Sequence, residues 1–201
     1  IHQLEPDLVI ANKEENVREE VEELSRHYPV WTSDVNDLPS ACAMIEQIGT
    51  LTQTTEKAKE IISTIKSNFS QLQTPNSLLQ GTKQKPKTCY LIWNDPYMTV
   101  GGDTFIHSML DAAGFDNIFK TKLRYPIITI ADMVLSDCQL LFLSSEPFPF
   151  KQKHIDELQQ ALARVGLADT KIAIVDGEMF SWYGSRLQHA PAYFKELQKD
   201  M

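Results

Sequence analysis

Residues that could perform catalysis or bind a metal are thinly spread in this sequence. Its five histidines are His2, His27, His107, His154 and His189, and they form no His-x-His or His-Glu-x-x-His pair and no pairing with cysteine at zinc-binding spacing. The sequence also has no Gly-x-Ser-x-Gly elbow, no Walker loop and no six-residue glycine fingerprint. Neither a metal site nor a nucleophilic centre is therefore predicted.

The sequence Val100-Gly101-Gly102-Asp103 is the nearest approach to an anion-binding loop. Two glycines before a predicted helix can expose backbone N–H groups to an anion. Asp103 would repel that anion, and a tight turn with an Asp cap accounts for the same residues. The interpretation as a turn is favoured.

Aromatic side chains gather instead in polar loops beside the predicted strands and helices. In open α/β sheets, ligands bind outside the carboxyl ends of the strands, and large rings in such loops are poorly placed for complete burial. An aromatic-lined cleft with one or two polar or cationic anchors is therefore predicted, with packing at the edge of the core as the alternative. The candidate ligand-binding residues in these loops are Trp93, Tyr97, Tyr125, Phe180, Trp182 and Arg186.

Hydrophobic periodicity predicts the elements that position these loops. Short apolar runs predict strands over 8–11, 29–31, 89–93, 139–144 and 171–175. Helical spacing, caps and closing glycines predict helices over 38–48, 103–114, 153–165 and 187–198, and a further helix begins at Thr129, where Asp132 completes a capping box. Strands that alternate with helices indicate an α/β fold with parallel sheets covered on both faces.

One predicted helix is longer than the others. Its apolar stripe recurs at three- and four-residue steps, so a helix over 54–73 would be a rod of about 30 Å, long enough to join two lobes. The stretch 74–87 is polar and is predicted to be a surface linker. The predicted organisation is therefore the remainder of an N-terminal lobe (1–53), an inter-lobe helix (54–73), the linker (74–87) and a C-terminal α/β lobe (88–201).

Composition excludes several classes of protein. No run approaches the ~18 apolar residues of a membrane span. The 19 Lys and Arg residues against 27 Asp and Glu give a net charge of −8 with no basic stripe, so nucleic acid is not an expected partner. Cys42, Cys89 and Cys138 are predicted to be buried thiols. The chain opens without an initiator Met or a signal-like segment, so any export signal is expected upstream of Ile1.

A set of short motifs distributed along the whole chain resembles a known family. The motifs are Glu5-Pro-Asp-Leu-Val-Ile10, Glu56-Lys-Ala-Lys59, Thr99-Val-Gly-Gly-Asp-Thr-Phe-Ile106, Gly114-Phe-Asp-Asn-Ile-Phe119, Ser145-Glu-Pro-Phe-Pro149 and Trp182-Tyr-Gly-Ser-Arg186. Together they resemble the helical-backbone (class III) substrate-binding proteins of ABC importers. That family carries cobalamin, haem and ferric siderophores to a membrane permease.

The resemblance implies an architecture and a set of partners. It implies two α/β lobes joined by one long helix, with the ligand in the cleft between them. It also implies a monomer in the periplasm, or lipid-anchored outside the cell, whose metal chelate is a transported ligand and which has no covalently bound cofactor. Relatives begin with a lobe portion before the Pro-Asp-Leu-Val-Ile strand, so we expect part of one ligand wall to lie outside this sequence.

The resemblance also assigns roles to individual residues. Asn12 is a further candidate ligand-binding residue. Cobalamin binders have an aromatic residue at its position, which argues against cobalamin, and another where Tyr125 stands. Arg186 could pair with a carboxylate or phosphate of the ligand or form a structural ion pair. Family members dock on the permease through one carboxylate from each lobe. Asp132 is the candidate in the second lobe, where it could equally serve only as a helix cap.

Three functions are consistent with these features. The first is a solute receptor that captures a ferric siderophore, haem or a cobalamin-like chelate and performs no catalysis, since no nucleophile and base can be paired from the motifs. The second is a chelatase-like tetrapyrrole enzyme, which would require a His and Glu pair converging on the cleft. The third is a ligand-sensing domain of the same fold.

Overall fold

The structure, a computed structural model, describes residues 1–72 and 84–201. These residues form two compact units, Ile1–Val35 and Asn36–Met201. The division therefore falls at residue 35, whereas the sequence predicted it at residue 53. Most of the predicted linker, 74–83, lies outside the described residues, and its last residue, Lys87, already begins a strand.

The smaller unit is a single β-α-β motif. A 3₁₀ turn, His2–Leu4, precedes strand β1 (Val9–Asn12), helix α1 (Arg18–Leu24) and strand β2 (Val30–Ser33). The two strands are parallel, and their register runs from Val9 opposite Val30 to Asn12 opposite Ser33. A right-handed crossover through a helix is the usual way to join two parallel neighbours.

The larger unit begins with two helices, α2 (Leu38–Leu51) and α3 (Thr55–Ser70). They are consecutive in sequence and pack on each other. A Cβ atom at Gly49 would collide with the Cβ of Ala58, so glycine permits the close approach of the two helices. The predicted long helix is uninterrupted but shorter than 54–73. It lies wholly within the larger unit, where the Asn68 amide donates a hydrogen bond to the Gln188 carbonyl at 2.9 Å.

The larger unit is built around a four-stranded sheet of order β4-β3-β5-β6. Its strands are β3 (Lys87–Leu91), β4 (Asp116–Asn117), β5 (Leu140–Ser144) and β6 (Lys171–Val175), and every pairing is parallel. Every residue of β5 is buried, as is typical of a central parallel strand with both faces covered. Because all the strands run the same way, the loops that follow them meet at one edge of the sheet.

Five helices complete the larger unit: α4 (Phe105–Ala112), α5 (Ile130–Leu135), α6 (Gln152–Arg164), α7 (Gly177–Ser181) and α8 (Ala190–Asp200). The predicted α/β fold with parallel sheets is confirmed. The last helix begins three residues later than predicted, because residues Ser185–Gln188 form a separate 3₁₀ turn. The three cysteines are free and buried, as predicted. No helix in the described ranges is long and apolar enough to cross a membrane.

Candidate functional site

The loops after β3, β5 and β6 place five aromatic or charged side chains at the carboxyl edge of the larger sheet. β3 pairs with β5, and β5 pairs with β6, so the three loops are consecutive neighbours in space. These residues are Trp93 after β3, Glu146 and Phe148 after β5, and Trp182 and Arg186 after β6. We refer to these five residues as the aromatic edge.

Trp182 is the most exposed ring of the aromatic edge, with 51% of its surface accessible. Its indole Nε1–H donates a hydrogen bond to Glu146 Oε1 at 2.7 Å, and the hydroxyl of Ser181 donates to the same oxygen at 3.1 Å. A charge-assisted hydrogen bond of this kind is stronger than a neutral one. Glu146 therefore fixes the plane of a large apolar ring that remains open to solvent.

Glycine at position 177 allows this arrangement. A Cβ atom there would collide with Ser144 Oγ and lie 2.7 Å from Glu146 Cγ. The Gly177 N–H instead donates to Ser145 Oγ at 3.0 Å, which ties the start of α7 to the loop after β5. The close approach of these two segments brings Glu146 within reach of the Trp182 indole.

Arg186 is engaged by two partners. Its guanidinium forms an ion pair with the Glu178 carboxylate on α7 and lies 5.9 Å from the centre of the Trp182 ring. The side chains of Arg186 and Glu178 are 47% and 31% exposed. The sequence allowed Arg186 either to pair with an anionic group of the ligand or to form a structural ion pair. The structure contains the ion pair.

Trp93 forms the other side of the aromatic edge and is 40% exposed. Its ring meets Phe148 edge-on at a centroid distance of 5.5 Å, and its Nε1–H donates to the Asp95 carbonyl at 3.1 Å. The loop after β5 therefore lies between the two tryptophans, since Trp93 contacts Phe148 and Trp182 contacts Glu146.

Glu146 and Phe148 were not among the predicted site residues. Both belong to the motif Ser145-Glu-Pro-Phe-Pro149, and both directly follow the buried strand β5. The signal that could have identified them is the one that singled out Trp93, namely a position just beyond the carboxyl end of a parallel strand.

The structure corrects the placement of Phe180, which was predicted to bind ligand. Its side chain is 0% exposed and packs among the rings of Tyr90, Phe142 and Phe194 at centroid distances of 5.2, 6.4 and 4.8 Å. Phe180 lies in α7, on the side that faces the sheet, whereas Trp182 caps the helix in extended conformation and turns outward. Phe180 is therefore a core residue with no surface for a ligand.

Tyr97, in the loop after β3, and Tyr125, in the loop before α5, are half-buried. Tyr97 packs against the apolar core beneath β3, and burial raises its pKa, with the carboxylates of Glu157 and Asp95 as smaller causes. The Arg124 guanidinium lies 5.5 Å from the centre of the Tyr125 ring. Ligand binding by these two tyrosines stays a prediction.

Asn12 is the last residue of β1 and belongs to the smaller unit. Its Oδ1 accepts a hydrogen bond from the Glu14 N–H at 2.7 Å, and its own N–H donates to Asn16 Oδ1 at 2.8 Å. The side chain thus shapes the turn after β1. Its predicted contact with a ligand stays a prediction.

Asp132 completes the capping box that the sequence predicted at the start of α5. Its Oδ2 accepts hydrogen bonds from the backbone N–H and the hydroxyl of Thr129, both at 2.7 Å, and these bonds lower the pKa of the carboxyl group. The residue is partly exposed at the start of the helix. Capping is therefore observed, and docking on a permease stays a hypothesis.

Gly101 and Gly102 form a turn, as favoured from the sequence. Their N–H groups donate to the carbonyls of Arg124 and Lys122 at 2.7 and 2.9 Å, so they are not available to an anion. A Cβ atom at Gly102 would collide with the Lys120 carbonyl. The helix that follows is capped by Thr104, whose hydroxyl accepts a hydrogen bond from the His107 N–H at 3.2 Å.

Metal-ligating residues do not converge in the described part of the chain. Within residues 1–72 and 84–201, no group of three or more His, Cys, Asp and Glu side chains could hold a metal ion.

Comparison with known proteins identifies the family. The sequence model of the Periplasmic binding protein family matches residues 1–166 of this chain. The chain belongs to that family of solute-binding proteins, and the resemblance drawn from the sequence motifs is confirmed. A search of curated proteins gave no match.

Solved structures of periplasmic binding proteins share the fold. A possible iron-binding (periplasmic solute-binding) protein from Staphylococcus epidermidis is 21% identical with a TM-score of 0.73, over 99% of this chain and 77% of its own. The vitamin B12 binding protein BtuF of Vibrio cholerae is 16% identical with a TM-score of 0.76, and the match covers 100% of this chain and 78% of BtuF. A periplasmic haem binding protein from Pseudomonas aeruginosa is 16% identical with a TM-score of 0.78, and the match covers 98% of this chain and 73% of the haem binding protein.

Proposed function

We propose that this protein is the solute-binding receptor of an ABC importer and that it captures a metal chelate at the aromatic edge. The observation that carries the proposal is the pair of exposed tryptophans held at the carboxyl edge of the larger sheet, Trp93 against Phe148 and Trp182 on Glu146. Two exposed large rings are costly to keep in water, and they suit a flat or bulky apolar ligand.

Membership of the periplasmic binding protein family and the ligands named for its structural neighbours support the same proposal. One of those neighbours is described as a possible iron-binding protein, and the other two bind vitamin B12 and haem, which are metal chelates. The chelate would be the transported solute, not a resident cofactor, and the receptor would deliver it unchanged to a membrane permease. The protein would act as a monomer in the periplasm or as a lipid-anchored protein outside the cell, without catalysis and without nucleic acid.

An absorbance titration of the purified protein with a ferric tris-hydroxamate, haem and cobalamin tests the proposal, because all three absorb visible light. We expect one of them to show a saturable spectral change with a stoichiometry near one. An apolar dye of similar size that holds no metal serves as the control for non-specific adsorption. The absence of saturable binding by all three chelates would contradict the proposed function.

Asp132 provides a separate test of the permease partner. If its carboxylate contacts the permease, Asp132→Ala should slow chelate uptake by cells about fivefold, the loss expected for one exposed charge contact, while chelate affinity stays unchanged. Thr129→Ala is the matched control, because it breaks the same capping box and keeps the carboxylate. An equal loss of uptake in both variants would show that only the helix cap matters.

A further inference from the structure

The charges around the aromatic edge limit the kind of chelate that fits it. The three loops, 92–98, 145–151 and 176–186, carry the carboxylates Asp95, Glu146, Asp176 and Glu178 and the cations Lys151 and Arg186. The carboxylates of Glu146 and Asp176 also raise the pKa of Tyr90, although burial is the larger cause. The local charge is therefore negative, in the same sense as the net charge of −8 of the whole chain.

The cation nearest to the Trp182 ring is already paired. Arg186 forms its ion pair with Glu178, whose side chain is only 31% exposed. The Glu178 carboxylate offsets the charge of the guanidinium, so an anionic ligand gains less from Arg186 than from an unpaired cation. Arg186 is thus a weaker anion clamp than its residue type suggested.

The remaining features of the aromatic edge favour the opposite charge. The Glu146 carboxylate lies against the Trp182 indole, and the faces of Trp93 and Trp182 attract cations through the negative charge density of their π systems. A receptor can exclude the wrong ligand by placing like charge against it as well as by binding the right one.

We propose that the aromatic edge selects neutral or cationic metal chelates over anionic ones, with Glu178 as the specificity-determining residue that cancels the charge of Arg186. This inference rests on the proposed function. It narrows the ligand from metal chelates in general to those without exposed anionic groups.

A matched pair of chelates tests the inference with the purified protein. One probe is a linear ferric tris-hydroxamate with a free terminal amine, which is cationic, and the other is the same chelate with that amine succinylated, which is anionic. We expect the cationic probe to bind about tenfold more tightly in a fluorescence titration. Equal binding, or tighter binding of the anionic probe, would overturn the inference and leave the proposed function intact.

The variant Glu178→Gln identifies the residue responsible. It removes the carboxylate while keeping nearly the same shape, so we expect the preference for the cationic probe to shrink about threefold, the scale of one partly exposed charge contact. Glu196→Gln is the control, because Glu196 pairs with Lys199 on α8 and its loss changes the net charge equally. A preference that shrinks equally in both variants would overturn the role of Glu178.

Two further measurements keep the result decisive. If the melting temperature of Glu178→Gln is well below that of the unmodified protein, Glu146→Gln is used in its place. Its glutamine carbonyl can still accept a hydrogen bond from the Trp182 indole N–H, while the charge is lost. If haem is the chelate bound, haem and its dimethyl ester form the matched pair, and the ester should bind more tightly. If no chelate binds, the proposed function fails and the inference fails with it.

Discussion

Phe180→Ala is expected to lower the free energy of unfolding by about 3–5 kcal/mol, the usual cost of deleting a buried phenylalanine ring. Phe180 is fully buried and touches the rings of Tyr90 and Phe194, so its loss leaves a cavity that these neighbours cannot fill. The measurement is urea unfolding followed by circular dichroism, with the slope of the transition compared to detect changes in the unfolded state.

The control for this prediction is Phe180→Leu, which fills most of the same volume and should cost clearly less. Chelate affinity measured on the folded fraction should be unchanged in both variants. A loss of stability below about 1 kcal/mol together with weaker chelate binding would show that Phe180 belongs to the ligand wall after all.

Trp182 lies only two residues after Phe180, but Trp182→Ala is expected to weaken chelate binding far more than it lowers stability. We expect chelate affinity to fall about thirtyfold, since truncation of an aromatic anchor commonly costs about 2 kcal/mol of binding free energy. The ring is half-exposed, so the free energy of unfolding should change far less than in Phe180→Ala. The measurements are an absorbance titration of the chelate and thermal unfolding of the same preparation.

Two matched variants refine this result. Trp182→Phe keeps an aromatic face but loses the indole N–H that Glu146 accepts, so it should show an intermediate loss of affinity. Tyr125→Ala tests the second predicted ring in the same assay. Unchanged affinity with a large loss of stability in Trp182→Ala would place this ring at the edge of the core and remove it from the site.

Much of the fold follows from local patterns. The apolar runs predicted β5 and β6 within one residue of their observed bounds. In β5 every residue is buried, and a strand covered on both faces needs uninterrupted apolar side chains. The Thr129 and Asp132 capping box was equally visible, since a cap depends only on residues three apart. Gly101 and Gly102 were also correctly assigned to a turn, although their N–H groups donate to Arg124 and Lys122, which lie much later in the chain.

The candidate site was predictable in part. Trp93, Trp182 and Arg186 were found because they follow strands. In the structure the two tryptophans contact the loop after β5, and Arg186 contacts the Trp182 ring. Glu146 was missed because its importance depends on the distance to an indole 36 residues later in the chain. The ion pair between Arg186 and Glu178 likewise depends on how α7 ends, and periodicity does not encode that geometry.

The contrast between Phe180 and Trp182 shows where prediction from local patterns ends. Both are large rings in one loop after β6, and their residue types and spacing are equally compatible with ligand binding or burial. Their exposure differs because α7 ends between them, so that one ring points at Phe142 and Phe194 while the other turns to solvent. Strands, caps and turns arise from neighbours in sequence and can be read there. Burial and site geometry arise from packing between distant elements, and they exist only once the chain has folded.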